Sequence, residues 1–299
     1  MSNLLQKIDC FIVGAQKCGT TSLYNWLNQH PEIGADMSLK DYHFFLDDKE
    51  YKKGHDYFED QYGDKRYRKY IHCAVNYMYM YNVAAKRIYE YNEGSKIIII
   101  IRDPIKRAFS AYLYFKKKNK EKRSFLKAIN ADESKYKSLE ERLDYTYLGH
   151  GHYSQQIKSF LTLFGCNNVK ILFYEELFDE SCRSIIMKDM LMFIGVKDVD
   201  YLFNYNHLNK AGLARFDLLN NVMSSKAKKD AINSVLPYRK MLSKKSRASI
   251  RWILNELNYR ASDEFLSEED YEKVKEMFIE EYLRLEEVLG KRFRKLWRY

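Results

Sequence analysis

A short loop bounded by two glycines most constrains what this chain can fold into. Residues 10–27 read CFIVGAQKCGTTSLYNWL. The apolar start, Cys10–Val13, predicts a strand, Gly14 and Gly19 bound the loop, and Thr20–Gln29 predicts a helix with one apolar face. In such a loop the backbone amides can point at an anion, and the N-terminus of the helix adds partial positive charge. The stretch therefore predicts a phosphate-binding site between a strand and a helix.

The spacing of the glycines is that of a Walker A loop, but the lysine is elsewhere. The Walker pattern is GxxxxGK[ST]. Here Thr20 stands where that pattern has lysine, and the lysine lies inside the loop at Lys17. This variant, GxxKxGTTxL, resembles the loop that holds the 5′-phosphosulfate in sulfotransferases that use 3′-phosphoadenosine 5′-phosphosulfate (PAPS). An ordinary glycine turn is the alternative. The resemblance implies that the loop binds PAPS, with Lys17 also catalytic, through Gly14, Gln16, Lys17, Cys18, Gly19, Thr20, Thr21 and Ser22.

A second motif follows the most apolar segment of the chain. Ser95–Arg102 contains five consecutive isoleucines, which predicts a strand of a parallel sheet that is buried on both faces. Arg102 ends this strand, where open α/β sheets bind ligands, and Pro104 predicts the start of a helix. The segment RDPIKRAFSAY matches the RDPxxRAxSxY motif of the same family. That match implies that Arg102 and Ser110 bind the 3′-phosphate, and the planar guanidinium suits a phosphate. The alternative is that Arg102 caps a helix or pairs with Asp103.

The segment Lys40–Phe45, KDYHFF, resembles the family's KE-x-HFF segment, which lies beside the sulfuryl group. Asp41 stands where the family usually has glutamate, and the resemblance predicts that it is the general base for the acceptor hydroxyl. A helix cap or a surface acid is the alternative for Asp41. His43 is a candidate catalytic residue with three possible roles: it holds the substrate, it holds the carboxylate, or it is a satisfied core histidine.

Other segments add elements and two further candidate contacts. Residues 71–79 predict a strand that leads into a loop, and Val75 and Asn76 stand where many relatives have a TP or SP dipeptide. Residues 47–70 predict a surface excursion. The apolar pattern of residues 269–289 predicts one helix ending at Gly290. Two cations of the segment HLNKAGLAR are candidate contacts of the 3′-phosphate or the acceptor, namely Lys210 and Arg215.

Length and composition limit the fold and the location. The 299 residues, 46% of them hydrophobic and 31% charged, can bury a substantial core. We predict one α/β domain over residues 1–299, with a mostly parallel central sheet flanked by helices, a P-loop NTPase-like nucleotide site, and a C-terminal part from about residue 216 that is helical only. The start of the chain lacks a secretory pattern, no apolar run is long enough to span a bilayer, and five cysteines form no CxxC pair. We therefore expect a cytoplasmic, bacterial protein.

The predicted activity is transfer of a sulfuryl group from PAPS to a hydroxyl or amine, with a carbohydrate or glycan as acceptor and no metal required. The formal charge of +10 favours anionic ligands. A P-loop kinase or NTPase is the first alternative, but the Walker lysine is missing and Arg102 stands where a magnesium-binding acid is needed. A nucleic-acid-binding protein is the second, but the basic clusters are scattered and no recognition motif occurs. We expect no nucleic-acid partner, and the sequence leaves the oligomeric state open.

Overall fold

The structure, a computed structural model, describes residues 7–63, 67–205, 213–214, 259–260 and 264–299, with the two dipeptides described by their backbone alone. These residues divide into two compact units. The first contains 7–107, 148–205 and 271–299, and the second contains 108–147, 213–214, 259–260 and 264–270. The prediction of a single domain stays a prediction.

The first unit contains the central sheet and most of the helices. Its elements, in chain order, are β1 (Cys10–Gly14), α1 (Thr20–Leu27), β2 (Ile33–Gly34), α2 (Asp48–Tyr51), α3 (His55–Asp60), β3 (Lys69–Cys73), α4 (Asn76–Tyr79), α5 (Tyr81–Tyr91), β4 (Lys96–Ile101), the start of α6 (Pro104–Lys117), α9 (Tyr153–Phe164), β5 (Val169–Phe173), α10 (Tyr174–Leu177), α11 (Glu180–Ile194), most of α12 (Glu268–Glu276) and α13 (Ile279–Leu289). The second unit contains the rest of α6, α7 (Phe125–Ile129), α8 (Leu139–Tyr145), the start of α12, and the antiparallel pair β6 (Leu213–Ala214) and β7 (Tyr259–Arg260).

Five parallel strands form the central sheet, in the order β2-β3-β1-β4-β5. The isoleucines of β4, residues 97–101, are all fully buried, as expected for a parallel sheet covered by helices. On one side of β1, Cys10 lies opposite Ile71 of β3, and on the other side it lies opposite Lys96 of β4. Because parallel strands end at the same edge, the segments that follow β1, β3 and β4 are neighbours. The predicted fold class is confirmed.

Helices α5, α9 and α13 pack beside this sheet. Helix α9 contacts β4, α5 and α13, and its buried side chains include Ile157, Phe160 and Phe164. These three residues recur every three or four positions, which is the spacing of one helical face. The amphipathic pattern of the sequence thus determines which side of α9 covers the strands. Within the described ranges, no helix has the length and apolar composition needed to cross a bilayer.

Four expectations about individual elements were wrong. The strand predicted over 71–79 ends at Cys73, and α4 follows, because Met78 packs against Gly14, where a Cβ would lie 2.5 Å from the Met78 Cβ. Residues 47–70 hold two helices, and Phe58 is buried and stacked on Phe44 with ring centroids 4.6 Å apart. The helix predicted over 269–289 is two helices, α12 and α13. The C-terminal part was expected to be helical only, but it contains the two-residue strand β7.

Candidate active site

The glycine-bounded loop joins β1 to α1 at the edge where β1 and β4 end. The amide of Ala15 donates to the carbonyl of Ile100 at 2.7 Å, which fixes the start of the loop against β4. Gly19 has φ 83°, and a Cβ there would overlap the ring of Phe178. Both the backbone conformation and the lack of space therefore require glycine at this position. Leu23 makes the first helical bond, to Gly19, and the amides of Gly19, Thr20 and Thr21 donate to no other backbone group in the described residues. These amides are suited to an anion.

Two of the predicted catalytic residues have an unusual backbone. Within the described part of the chain, the non-glycine residues with positive φ are Lys17 at 68°, Asp41 at 62° and Asn119 at 56°. Such a conformation costs an L-residue about 1–3 kcal/mol and persists only where surrounding contacts enforce it. Residues of this kind concentrate at ligand sites and active sites. The strain at Lys17 and Asp41 therefore supports a functional hypothesis for both.

Cys18 links the loop to the end of β4. Its thiol lies 3.9 Å from the hydroxyl of Tyr153, which donates to the carbonyl of Arg102 at 3.0 Å. Burial raises the pKa of the Cys18 thiol to about 12, so the thiol is protonated and is not a reactive nucleophile. At the start of α1, Thr20 lies close enough to Cys73, at the end of β3, to lower the pKa of that thiol, although burial raises it overall. The loop thus has neighbours on both adjacent strands.

The side chain of Arg102 is held in place by a neighbouring ring, but one of its hydrogen-bond donors has no partner within the described residues. Its guanidinium carbon lies 4.3 Å from the ring centroid of Tyr174, a cation–π contact. Its Nε is buried and has no hydrogen-bond partner within the described residues. Asp103 forms no ion pair with it. The Asp103 carboxylate accepts from the amides of Ile105 and Lys106 and caps α6, so the pairing alternative does not apply.

Glu175 lies beside this strand end and is a residue that sequence reasoning missed. Its carboxylate accepts from the Asp103 amide at 3.3 Å and from the Trp297 indole at 3.1 Å. Burial raises the pKa of Glu175, and the nearby Arg102 guanidinium acts in the opposite direction. Tyr174 and Glu175 follow β5, which adjoins β4. The signal that identifies them is their position directly after a strand of the same parallel sheet.

On the other side of the loop, Asp41 is fixed by three contacts. Its backbone amide donates to the carbonyl of Cys73 at 2.8 Å, and its Oδ1 accepts from the amide of Val75 at 3.2 Å. Its Oδ2 pairs with the Lys40 ammonium at 2.6 Å, and 42% of the Asp41 side chain is exposed, compared with 10% for Lys40. The carboxylate is therefore accessible to a ligand while the lysine lies beneath it.

These contacts determine the charge of Asp41. Burial raises its pKa, but the Lys40 ammonium and the Val75 amide outweigh that effect and hold the pKa below the usual aspartate value. Asp41 is thus an ionised carboxylate at neutral pH, as a proton acceptor must be. The sequence indicated Lys40 as part of the motif but not its pairing with Asp41.

His43 lies next to this carboxylate. Its Nε2 is 3.2 Å from the amide nitrogen of Asn76, at the start of α4. Burial lowers the pKa of His43, so the ring is neutral at neutral pH. Its Nδ1 makes no hydrogen bond within the described residues, and the side chain is half-buried, so the three possible roles of His43 stay predictions.

A buried histidine supports the turn that carries Asp41 and His43. His72 of β3 is fully buried, and burial lowers its pKa to about 3, so it is neutral. Its Nε2 lies 3.1 Å from the carbonyl of Tyr42 and its Nδ1 lies 2.7 Å from the hydroxyl of Tyr62. Tyr77 also donates to the Tyr42 carbonyl, at 3.0 Å. Tyr42 lies between Asp41 and His43, so these bonds hold the backbone of both.

The structure brings together most but not all of the predicted site. The loop residues, Arg102, Asp41 and His43 lie in the first unit, on segments that follow or contact the ends of β1, β3 and β4. Ser110 is 8% exposed on α6 and belongs to the second unit. Lys210 and Arg215 lie outside the described residues. Within those residues, no group of three or more His, Cys, Asp and Glu side chains is arranged to hold a metal ion.

A sheet of parallel strands with a glycine-bounded loop at its edge defines a P-loop-like fold. A family model described as "Sulfotransferase domain" matches residues 7–246, and the chain belongs to this family. Among curated relatives, the heparan sulfate glucosamine 3-O-sulfotransferase 5 of Mus musculus is 24% identical over 232 residues, which cover 74% of this chain and 64% of the relative. The bifunctional heparan sulfate N-deacetylase/N-sulfotransferase 1 of the same species is 28% identical over 204 residues, or 64% of this chain and 22% of the relative.

The chain therefore spans less than two thirds of the length of these curated relatives. Among solved structures, a sulfotransferase from Alicyclobacillus acidocaldarius is similar to this one, with a TM-score of 0.67 and 22% sequence identity. The similarity covers 97% of this chain and 99% of that one. At this level of identity the likeness establishes the fold.

Proposed function

We propose that this protein transfers the sulfuryl group of PAPS to a hydroxyl or amine of a glycan. The observation that carries the proposal is a family match over residues 7–246, together with the arrangement of the site. In that arrangement Lys17 and Arg102 follow the ends of two adjacent strands, β1 and β4. The backbone of Lys17 has a positive φ, and the buried Nε of Arg102 has no hydrogen-bond partner within the described residues. We call the loop Gly14–Ser22 with Arg102 the donor side. We call Lys40–His43 with Val75–Asn76 the acceptor side.

The donor side suits a nucleotide with phosphates at two positions. The loop amides and Lys17, with the hydroxyls at the start of α1, are proposed to bind the 5′-phosphosulfate. The buried Arg102 Nε still needs an acceptor, and a phosphate oxygen supplies one. Arg102 is thus proposed to bind the 3′-phosphate, and Ser110 stays a predicted contact of the same group. PAPS, when bound, supplies an activated sulfuryl group and a phosphate leaving group.

Lys17 and Asp41 are proposed to divide the chemistry. Asp41 takes the proton of the acceptor while the acceptor atom bonds to sulfur, and the bond between sulfur and the phosphate oxygen breaks. Lys17 stabilises the negative charge that develops on that phosphate oxygen. Its fixed cation supplies the charge that magnesium supplies in phosphoryl transfer. We therefore propose that no divalent metal is needed, and excess EDTA should leave turnover unchanged.

The first experiment compares ligands of the donor side. Isothermal titration calorimetry should show binding of adenosine 3′,5′-bisphosphate, with much weaker binding of ATP and of a single-stranded oligonucleotide. Tight binding of ATP that depends on magnesium would contradict the proposal and favour an NTPase. Tight binding of the oligonucleotide alone would favour a nucleic-acid-binding protein.

The second experiment identifies the acceptor class. The two relatives named above are heparan sulfate enzymes, one for a glucosamine hydroxyl and one for an amine, as their names state. Radiolabelled PAPS should be tested with N-acetylated and N-deacetylated heparosan, with chondroitin, and with a small phenol as a non-carbohydrate control. Transfer to a glycan alone is the expected result. Transfer to the phenol alone would overturn the glycan assignment while leaving sulfuryl transfer intact.

A further inference from the structure

The acceptor side contains two groups that can take a proton, Asp41 and His43. A histidine with an ordinary pKa of 6.5 is well suited to general base catalysis near neutral pH. An aspartate with a lowered pKa is a weaker base. The identity of the base therefore depends on which nitrogen of His43 carries a hydrogen. The inference below rests on the proposed function for the reaction it concerns.

The side chain of Asn76 determines which ring nitrogen of His43 carries the hydrogen. It follows Val75, whose amide binds Asp41, and its side chain is 8% exposed. The amide nitrogen of Asn76 lies 3.2 Å from Nε2 of His43. A carboxamide N–H can donate but cannot accept, so Nε2 must be the nitrogen with the lone pair. In a neutral imidazole the single hydrogen then lies on Nδ1.

The orientation of the Asn76 amide sets this tautomer. The Oδ1 of Asn76 is buried and has no partner within the described residues. The structure places Nδ2 toward His43, so one of its two hydrogens is directed at Nε2. A turned amide would present Oδ1 to His43 and would require the hydrogen on Nε2 instead. The two orientations therefore predict opposite tautomers of His43.

We propose that Asn76 is a positioning residue that holds His43 as the Nδ1–H tautomer, so that His43 is a hydrogen-bond donor in the reaction and Asp41 alone is the base. The Nδ1 atom makes no hydrogen bond within the described residues, so its hydrogen is available to a ligand. An oxygen of the sulfuryl group or of the acceptor is a suitable partner. His43 takes no proton during transfer. The proton of the acceptor goes to Asp41, and the electron pair of the broken bond between sulfur and oxygen stays on the phosphate.

The charged groups around His43 are compatible with a neutral ring. Asp41 and Asp47 favour its protonated form, whereas burial and the Lys40 ammonium oppose it. The buried His72 lies nearby and is itself neutral. Because burial is the largest of these effects, the pKa of His43 lies below its ordinary value. The neutral tautomer is therefore the form present at neutral pH.

Nitrogen NMR tests the proposal without an acceptor substrate. The protein should be labelled with ¹⁵N at its seven histidines, and a His43→Gln variant should be used to assign the His43 signals. In the wild-type protein at neutral pH, the expected spectrum shows a protonated Nδ1 and an unprotonated Nε2. A protonated Nε2 with an unprotonated Nδ1 would overturn the proposal. This result is independent of whether the protein transfers sulfate to a glycan.

An Asn76→Asp variant separates the two roles of His43 in catalysis. A carboxylate at this place stabilises the imidazolium and should move the titration of His43 to higher pH. The charged ring still carries a hydrogen on Nδ1, so the acid side of the kcat/KM profile should not follow that shift. If His43 were the base, the acid side of the profile would move to higher pH together with the pKa of His43, and activity would fall at neutral pH.

An Asn76→Ala variant removes the contact and should admit the other tautomer. Its kcat should fall by about tenfold, the size expected from one misdirected hydrogen bond, with the KM for PAPS unchanged. Asn82→Ala, at an exposed position on α5, is the matched control and should behave as wild type. Loss of nucleotide binding in Asn76→Ala, measured with adenosine 3′,5′-bisphosphate, would indicate a general structural role and would contradict the proposal.

Discussion

The donor side and the acceptor side stand at the same edge of one sheet but are built differently. The donor side is made largely of backbone: a loop of fixed spacing between β1 and α1, supplemented by Lys17 and Arg102. The acceptor side depends on two side chains that bind partners 33 or 34 residues away in the sequence, His43 with the Asn76 side chain and Asp41 with the Val75 amide. Backbone amides do not change when a side chain is replaced, whereas each contact of the acceptor side depends on at least one particular side chain.

This difference explains where the chain follows its family and where it departs. The loop and the RDPIKRAFSAY segment keep the spacing of the family motif, because the geometry of a strand end and a helix start fixes it. The acceptor side has Asp41 in place of glutamate and Val75–Asn76 in place of a TP or SP dipeptide. A shorter carboxylate can still be placed well when Lys40 and the Val75 amide hold both of its oxygens.

Replacement of Asp41 should have the largest effect on turnover. Asp41→Asn keeps the size of the side chain but cannot take a proton, so kcat should fall by roughly two to four orders of magnitude. The affinity for adenosine 3′,5′-bisphosphate, measured by calorimetry, should stay as in the wild type. Asp41→Glu is the matched variant. It should keep substantial activity if the turn can retract, and it should lose activity if the Cys73 and Val75 contacts fix the turn in place. Normal turnover in Asp41→Asn would remove this residue from the mechanism.

Replacement of Lys17 tests the donor side by the same two measurements, kcat and nucleotide affinity. Lys17→Ala removes the cation that is proposed to stabilise the leaving oxygen, and kcat should fall by about 100- to 1,000-fold, the range for one lost electrostatic donor. Nucleotide affinity should weaken much less, because the loop amides remain. Lys17→Arg keeps the charge and should recover part of the loss. An Ala variant with unchanged kcat, or one whose defect lies entirely in KM, would contradict a role in the transition state.

Arg102 should affect recognition more than chemistry. Arg102→Ala should weaken binding of adenosine 3′,5′-bisphosphate by about 10- to 100-fold, the effect of losing a charge-assisted hydrogen bond to phosphate. Binding of adenosine 5′-phosphate, which lacks the 3′-phosphate, should change little. Arg102→Lys keeps the charge without the planar fork and should give an intermediate result. Equal weakening of both nucleotides would show that Arg102 only supports the fold, through its contact with Tyr174.

Lys40 should produce the smallest change, a shift in pH dependence. Since the pKa of Asp41 lies below the ordinary value of 3.8, its carboxylate stays ionised until the pH falls below that value. The acid limb of kcat/KM should therefore lie below pH 3.8 in the wild type. Lys40→Met removes the ammonium that lowers the pKa of Asp41, while the burial that raises this pKa remains. The pKa of Asp41 should therefore rise, and the acid limb should move to higher pH. Lys49→Met, an exposed lysine of α2, is the control and should cause no shift. A wild-type limb above pH 3.8 and below the ordinary histidine value of 6.5 would indicate that His43 titrates instead.

Much of the fold was predictable because each signal was local. Five isoleucines in a row can be buried only in a strand covered on both faces, and β4 runs from Lys96 to Ile101 as that pattern predicts. The strand, glycine loop and helix at residues 10–27 likewise fold as their spacing indicates, with Gly19 in the left-handed conformation. The errors arose where packing overrode local pattern, as at α4, which takes its place because Gly14 leaves room for Met78.

The sequence by itself thus determined the class of the protein, the position of the glycine-bounded loop and the identity of Lys17, Asp41 and Arg102 as candidates. It could do so because a motif of fixed spacing records a backbone geometry. Only the tertiary structure decided which groups surround these residues: Lys40 and Val75 on Asp41, Asn76 on His43, and Tyr174 beside Arg102. The direction of a pKa and the tautomer of a histidine depend on neighbours that are distant in the chain, and those neighbours are chosen by the order of the strands.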